Sequence, residues 1–347
     1  MNPLDQLAKI HASGYKAVLA ITGGGTGAIN TLLEHGGGSA FLLEAIVPYS
    51  EESLTNFLGH KPEKFVSDLT ARQLAMAAYI KAGKLTKERV VGLGATCSLA
   101  KTDEREGRKH VVYLAYQTRD TTCTFRTELH STRELEEAEV SQLIIDFLSD
   151  AVAGTSNIEP TEKVVANTDL VDLVHGENRL WYYPKPYDYT QPRCMFPGSF
   201  NPLHDGHKEM AEIAKKDTGI PVLFEISVTN PDKPPLDYIE INRRVAQFNS
   251  NLVLTNAPLF TDKTVLFRRR TYIVGIDTWE RIIDPKYCGY ILDQLRTNGV
   301  TFMVFPRTID GVTKKLESVV AGLAYPAPEP RNYAHVSSTQ LRQQNEP

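Results

Sequence analysis

Along the first half of the chain the spacing of apolar residues changes repeatedly. Leu4 to Ala12 is amphipathic at helical spacing, Ala17 to Ile21 is a continuous apolar run, and Ala28 to Glu34 returns to helical spacing after a glycine-rich turn. The pattern predicts a strand, a turn and a helix in that order. Phe41 to Val47 predicts a second strand and Leu69 to Ile80 a helix. Val90 to Leu93, Val111 to Tyr116 and Thr122 to Leu129 predict further strands, and Glu134 to Val152 a long closing helix.

Between Gly154 and Pro192 this alternation stops, first in polar residues and then in the proline- and tyrosine-rich stretch WYYPKPYDYTQP. Such a composition predicts a linker. Within it, the aromatic Arg179 to Tyr183 is expected as a strand covering the edge of a neighbouring sheet. Alternation then resumes, with strands expected at Arg193 to Phe196, Val222 to Val228, Leu252 to Thr255, Thr271 to Gly275 and Thr301 to Phe305. Helical stretches separate them, which predicts a doubly wound parallel sheet with ligands at the carboxyl ends of its strands. The expected organisation is therefore an α/β domain over residues 1–155, a linker over 156–190 and a Rossmann-like α/β domain over 191–347.

A chain of 347 residues agrees with two cores rather than one. The net charge of -4 offers no broad basic field for the phosphates of a nucleic acid, though a local site for a small anion needs few cations. Four cysteines (Cys97, Cys123, Cys194, Cys288) form no CxxC pair, so neither a zinc cage nor a disulfide framework is expected. No apolar run approaches the roughly 20 residues that span a bilayer. The first residues, MNPLDQLAKIHASG, do not read as a signal peptide. A soluble, intracellular protein that binds neither nucleic acid nor membrane is expected, cytoplasmic or imported into an organelle.

The most informative stretch runs from Met195 to His207, MFPGSFNPLHDGH. A short apolar strand leads into Gly198 and Ser199, whose small size lets backbone N–H groups approach a ligand. Pro202 sets the chain before a helix that begins near Gly206. His204 and His207, three residues apart, project toward one point at that helix start. There the free N–H groups, the helix dipole and two imidazoles favour phosphate. No metal-ligand cluster is expected.

This segment resembles the HxGH signature of the nucleotidylyltransferase superfamily, which includes the nicotinamide and nicotinate mononucleotide adenylyltransferases. Ten contiguous positions, GSFNPLHDGH, carry the resemblance. The family's second motif has the form ISSTxxR, and Val336-Ser-Ser-Thr-Gln-Leu-Arg342 stands in its place. The resemblance implies nucleotide contacts from Gly198, Ser199, Phe200, Gly206, Ser337, Ser338 and Thr339, with His204, His207 and Arg342 catalytic. Ser227 to Leu236, followed by Arg244, resembles the loop after the family's second strand, which implies substrate contacts from Asn230, Lys233 and Arg244. Ile273-Val-Gly-Ile-Asp277-Thr-Trp279 resembles the GxD element, which places Gly275 and Asp277 at the nucleotide and Trp279 at a pyridine ring. ATP, carried with Mg²⁺, and a phosphate-bearing small molecule, a pyridine mononucleotide, are the implied partners.

In the first half, Thr22-Gly-Gly-Gly-Thr-Gly27 follows a strand and opens a helix, the arrangement of a phosphate or oxyanion loop. Together with GGGSAFLLEAIVPYSEESLTNFLG, including Tyr49 and Ser50, it makes Lys16 to Ala151 resemble the C-terminal domain of the CinA family, which includes amidases of nicotinamide mononucleotide. The resemblance departs at the nucleophile. Where the family carries a serine before Thr-Gly-Gly, this chain has Ala20-Ile21, and Gly94-Ala-Thr-Cys-Ser98 replaces a later glycine-rich element. Thr22, Thr26 and Cys97, the last if its pKa is lowered, are the alternative nucleophiles. Otherwise the half is catalytically degenerate and serves for binding or homo-oligomerisation.

The expected activity is adenylyl transfer from ATP to nicotinamide or nicotinate mononucleotide in NAD biosynthesis. Two alternatives use the same motifs. One is cytidylyl or adenylyl transfer to another acceptor, such as a phosphocholine-like molecule, a sugar phosphate or phosphopantetheine. The other is a regulator that binds nucleotide without catalysis.

Overall fold

The computed structural model describes residues 2–101, 109–155, 158–184, 194–284, 291–309, 312–317, 319–320, 322–328, 338 and 341. They divide into two compact α/β units, Met1–Val171 with Asp232–Glu240, and Asp172–Pro231 with Ile241–Pro347.

The first unit runs α1 (Pro3–His11), β1 (Tyr15–Thr22), α2 (Gly27–Leu33), β2 (Leu42–Ile46), α3 (Glu51–Leu58), α4 (Asp68–Leu85), β3 (Arg89–Ser98), β4 (His110–Gln117), β5 (Thr121–Leu129), α5 (Arg133–Ala153) and β6 (Glu162–Val165). Its six strands are ordered β2-β1-β3-β4-β5-β6. β1 is parallel to β2 and β3, and the remaining pairs are antiparallel. Side-chain alternation along β1 sets the layers. Ala17, Leu19 and Ile21 face the core shared with α1, α2 and α5, whereas Val18 and Ala20 face α3 and α4. Gly92 and Gly94 of β3 let α4 lie close on the sheet, because a Cβ at either position would stand 2.2 Å from the carbonyl oxygen of Ala75 or Ala71.

Asp232–Glu240 is fastened to this unit by a buried cation. Arg72 is 1% exposed and donates to Asp68 Oδ2 at 2.9 Å and Asp237 Oδ2 at 2.5 Å, with Glu240 Oε2 at 3.5 Å. Its carboxylate neighbours hold it charged despite burial.

The second unit follows α6 (Thr168–His175) and contains β7 (Leu180–Tyr183), β8 (Cys194–Pro197), α7 (Asp205–Thr218), β9 (Val222–Ser227), α8 (Tyr238–Val245), β10 (Leu252–Thr255), α9 (Phe260–Leu266), β11 (Thr271–Gly275), α10 (Ile276–Ile283), α11 (Ile291–Thr297), β12 (Thr301–Phe305), β13 (Arg307–Ile309), β14 (Val312–Lys314) and β15 (Ala324–Pro326). α6 and α8 straddle the division between units. Seven strands form one sheet in the order β15-β12-β11-β8-β9-β10-β7, and β13 and β14 form a separate hairpin. All pairs in the large sheet are parallel except β10 with β7, so the aromatic Leu180–Tyr183 covers an edge. From β8 the chain winds outward through β9 and β10, then crosses to β11 and winds the other way. The boundary of β8 and β11 is therefore the topological switch point, where crevices open at strand carboxyl ends.

Residues 162–183, expected as linker, include β6 in the first sheet, α6, and β7 in the second. Among the described residues no helix is long and apolar enough to cross a membrane.

Candidate active site

At the carboxyl end of β8 the backbone N–H of Gly198 donates to Glu225 O at 2.9 Å. Gly198 is required here by its neighbour, since a Cβ would come within 2.6 Å of the Phe200 ring. Phe200 takes a positive φ of 45° and is 1% exposed, edge-on to Phe196, Phe224 and Phe248 at 5.4, 5.3 and 5.6 Å. This aromatic floor supports the turn from the strand into α7.

His204 caps α7 in an extended conformation, and His207 is the third helical residue. The backbone N–H of His204 donates to Nδ1 of His207 at 3.3 Å, and the two rings stack at 3.7 Å. His207 is held in place from below by the edge of Phe200 at 4.9 Å. Burial drives the His207 pKa down from 6.5 to about 3, with His204 as a second cause. Burial also lowers the His204 pKa; Asp205 opposes the shift and Arg307 adds to it. Both imidazoles are thus neutral at pH 7. Among the described residues, His204 Nδ1 is buried without a hydrogen-bond partner.

Surrounding groups fix the rest of the turn. Arg244 Nη1 donates to Ser199 O at 3.2 Å and to Ser199 Oγ at 3.1 Å. Gln247 donates to Phe200 O at 2.9 Å and accepts from the N–H of Leu203 at 2.7 Å. Ser338 Oγ donates to Pro202 O at 3.0 Å, which brings the second motif onto the first. Gly206, the second residue of α7, is buried. Ser337, Thr339 and Arg342 lie outside the described residues.

On the other side of the switch point, β11 ends at Gly275, where the Cβ direction is open. Asp277, two residues on, is ion-paired through Oδ2 to Arg307 Nη1. Sequence reasoning missed Arg307; its signal was a lone cation just past an apolar strand, at the end of the sheet where ligands bind. Gln247 carried no such signal.

Trp279 is 2% exposed and packs on Phe302 at 5.3 Å, so its ring fills the core instead of facing an opening. Lys233 is exposed in the segment that belongs to the first unit, within electrostatic reach of His60. Asn230 is exposed after β9. Among the described residues no three His, Cys, Asp or Glu side chains gather around a point that a metal ion would occupy. Two imidazoles and a carboxylate already engaged by Arg307 do not fit a magnesium cage.

The glycine-rich loop of the first unit has a different character. Gly23 and Gly25 take positive φ angles of 87° and 85°, and a Cβ on Gly23 would strike Cys97 O at 2.0 Å. The loop amides are already occupied: Gly25 N–H donates to Glu137 Oε2 at 2.9 Å, and Thr26 N–H and Oγ1 donate to Glu137 Oε1 at 2.8 and 3.0 Å. Cys97 Sγ donates to Thr22 O and Gly24 O, both at 3.4 Å, and burial pushes its pKa up to about 12. The condition that would have made Cys97 a nucleophile, a lowered pKa, is therefore reversed. A cavity of about 470 Å³ beside the loop is lined by Gly23, Gly24, Thr26, Tyr49, Arg133, Glu134 and Glu137.

At the carboxyl end of β8 the structure thus places two stacked imidazoles at a helix start, and residues 195–344 match the family model described as cytidylyltransferase-like. Over the N-terminal region the chain is similar to solved CinA-superfamily structures. One from Klebsiella pneumoniae is 19% identical and covers 45% of this chain and 100% of its own, with a TM-score of 0.38. One from Escherichia coli is 15% identical, with 41% and 87% covered and a TM-score of 0.35. The competence/damage inducible protein CihA from Agrobacterium tumefaciens is 18% identical, with 44% and 92% covered and a TM-score of 0.33. No curated protein matches the chain.

Proposed function

We propose that the second unit is an adenylyltransferase that joins ATP to nicotinamide or nicotinate mononucleotide and releases pyrophosphate. One observation carries the reading: two stacked, neutral imidazoles stand at the N-terminus of α7, at the switch point of the sheet. An oxygen of the acceptor's phosphate attacks the α-phosphorus of ATP, the bond from that phosphorus to the bridging oxygen breaks, and pyrophosphate leaves. The protein orients the reactants and neutralises developing charge without a covalent intermediate. His204 and His207 serve the reacting phosphates, Arg342 and Ser337 the leaving group, and Ser338 holds the histidine turn in place. Mg²⁺ arrives on the ATP phosphates.

We further propose that the first unit has lost amidase chemistry. The support is local: a carboxylate fills its loop amides, its nearby thiol is buried and protonated, and Ala20-Ile21 replaces the nucleophile. The remaining role is binding or self-association.

The test is a panel of acceptors (the two pyridine mononucleotides, phosphocholine, a sugar phosphate and phosphopantetheine) incubated with ATP or CTP, Mg²⁺ and the full chain, with products read by mass. A dinucleotide from ATP and a pyridine mononucleotide is expected. Product only with CTP, or only with another acceptor, moves the assignment to that chemistry, and nucleotide binding without pyrophosphate release makes the protein a regulator. Ammonia released from nicotinamide mononucleotide at an enzymatic rate overturns the reading of the first unit.

A further inference from the structure

Arg307 leaves the sheet beside the proposed site. Phe305, the last residue of β12, pairs in register with Gly275 of β11. Arg307 and Asp277 each lie two residues beyond that pair, so adjacent strands deliver a cation and an anion to one level at the sheet's ligand-binding end. Their ion pair is half-open, with side chains 40% and 30% exposed. Exposed pairs of this kind are weak, so the guanidinium exchanges partners readily. It also lies close enough to His204 to disfavour that ring's protonated form. Beside the pair, Gly275 leaves open space.

His204 and His207 are neutral, and Asp277 would repel phosphate unless its charge were screened. Among the described residues Arg307 brings a cation to this pair of strand ends, with a planar fork able to hold a carboxylate on one side and phosphate oxygens on the other.

We propose that Arg307 is a ligand of the donor nucleotide's β- and γ-phosphates, which become the leaving pyrophosphate, and that it screens Asp277 while the nucleotide is bound. This rests on the nucleotidyltransferase reading of the second unit. It adds a residue that neither of the two family motifs contains.

The experiment uses the full chain and the variants Arg307→Gln and Arg307→Lys. Binding of inorganic pyrophosphate and of AMP is followed by calorimetry, which needs no acceptor, and initial rates are followed with ATP and the acceptor varied separately. Arg307→Gln should weaken pyrophosphate about tenfold or more and raise the KM for ATP by a similar factor. AMP, which lacks those phosphates, and the acceptor KM should stay within about twofold. Arg307→Lys should recover part of the loss, because it keeps the charge but not the fork. A merely structural residue would weaken AMP and pyrophosphate alike, and that result overturns the proposal, as does unchanged pyrophosphate binding. If Arg307→Gln fails to fold, the same split between pyrophosphate and AMP is read from Arg307→Lys. If the wild type forms no product with any acceptor, the nucleotidyltransferase reading fails, and the calorimetry still decides whether Arg307 holds pyrophosphate.

Discussion

His207 couples the stability of the second unit to pH, and the size of the coupling follows from its surroundings. Its ring lies among Phe200, Phe196 and His204, at 4.9, 5.9 and 3.7 Å, where a positive charge is poorly solvated. The folded pKa is about 3 against 6.5 for the exposed imidazole. Between these values the unfolded chain binds a proton that the folded chain refuses, so stability rises with pH and is lost as pH falls below 6.5. Integrating between pH 7.5 and pH 5 gives a loss of about 2 kcal/mol from this residue alone. Burial lowers the His204 pKa too, so its contribution has the same sign. The assay is urea unfolding followed by tryptophan fluorescence, because both tryptophans, Trp181 and Trp279, belong to the second unit. The control is His207→Gln, which does not titrate and keeps a side-chain acceptor for the N-cap N–H. Its loss over the same pH interval should be smaller by about 2 kcal/mol. Equal losses in both proteins would refute the idea that His207 is held neutral in the fold.

Gly198→Ala should destabilise the second unit by about 1–3 kcal/mol and abolish product formation, because the buried Phe200 ring cannot yield to the new methyl group; Phe200→Leu in the same chain should restore part of the stability, and a fully stable Gly198→Ala protein would contradict the packing. Glu225 accepts two bonds from Lys263 at 2.7 and 2.9 Å with both side chains buried, so Glu225→Gln strands a cation and should cost about 3–5 kcal/mol in the tryptophan-monitored transition. A change below about 1 kcal/mol would mean that the lysine finds another partner. In the first unit, Glu137→Gln should speed hydrogen exchange at the Gly25 and Thr26 amides about tenfold or more, measured by mass spectrometry; unchanged exchange would show that the loop holds its shape without the carboxylate. Native Cys97 should resist alkylation at pH 8 until the protein is unfolded, since its pKa stands near 12, and rapid native labelling would contradict that burial.

What the sequence showed plainly was whatever repeats within one element. The apolar runs at Ala17 to Ile21 and Phe302 to Phe305 are buried on both faces and lie within β1 and β12. Short elements left no such mark. β6 exposes every second residue over only four positions, β15 has three residues, and the hairpin of β13 and β14 is equally brief. One or two periods of alternation cannot be told from a polar loop. The surroundings of Lys233 were equally hidden: it follows β9 in sequence, yet the buried charges Asp237 and Glu240 tie its stretch to Arg72 of the first unit, 165 residues from Asp237 along the chain.

The same distinction separates the two glycine-bearing turns, which look alike as sequence and differ in chemistry. Around Thr22–Gly27 the anion that satisfies the loop is the protein's own Glu137, 112 residues from Gly25. Around Gly198–His207, among the described residues, no carboxylate is bound to the imidazoles, His204 Nδ1 has no hydrogen-bond partner, and the carboxylate of Asp277 is engaged by Arg307. A motif therefore specifies the backbone shape of an anion site, because turn residues and helix starts are local. Whether the site is vacant or filled is decided by a charge that arrives from another element, and its identity is visible only once the fold has brought it there. Glu137 looked in sequence like one of several acidic residues at the start of a long helix, and Arg307 like a cation after a strand; the fold sets the first against the loop amides of Gly25 and Thr26 and the second against Asp277 beyond the end of β11.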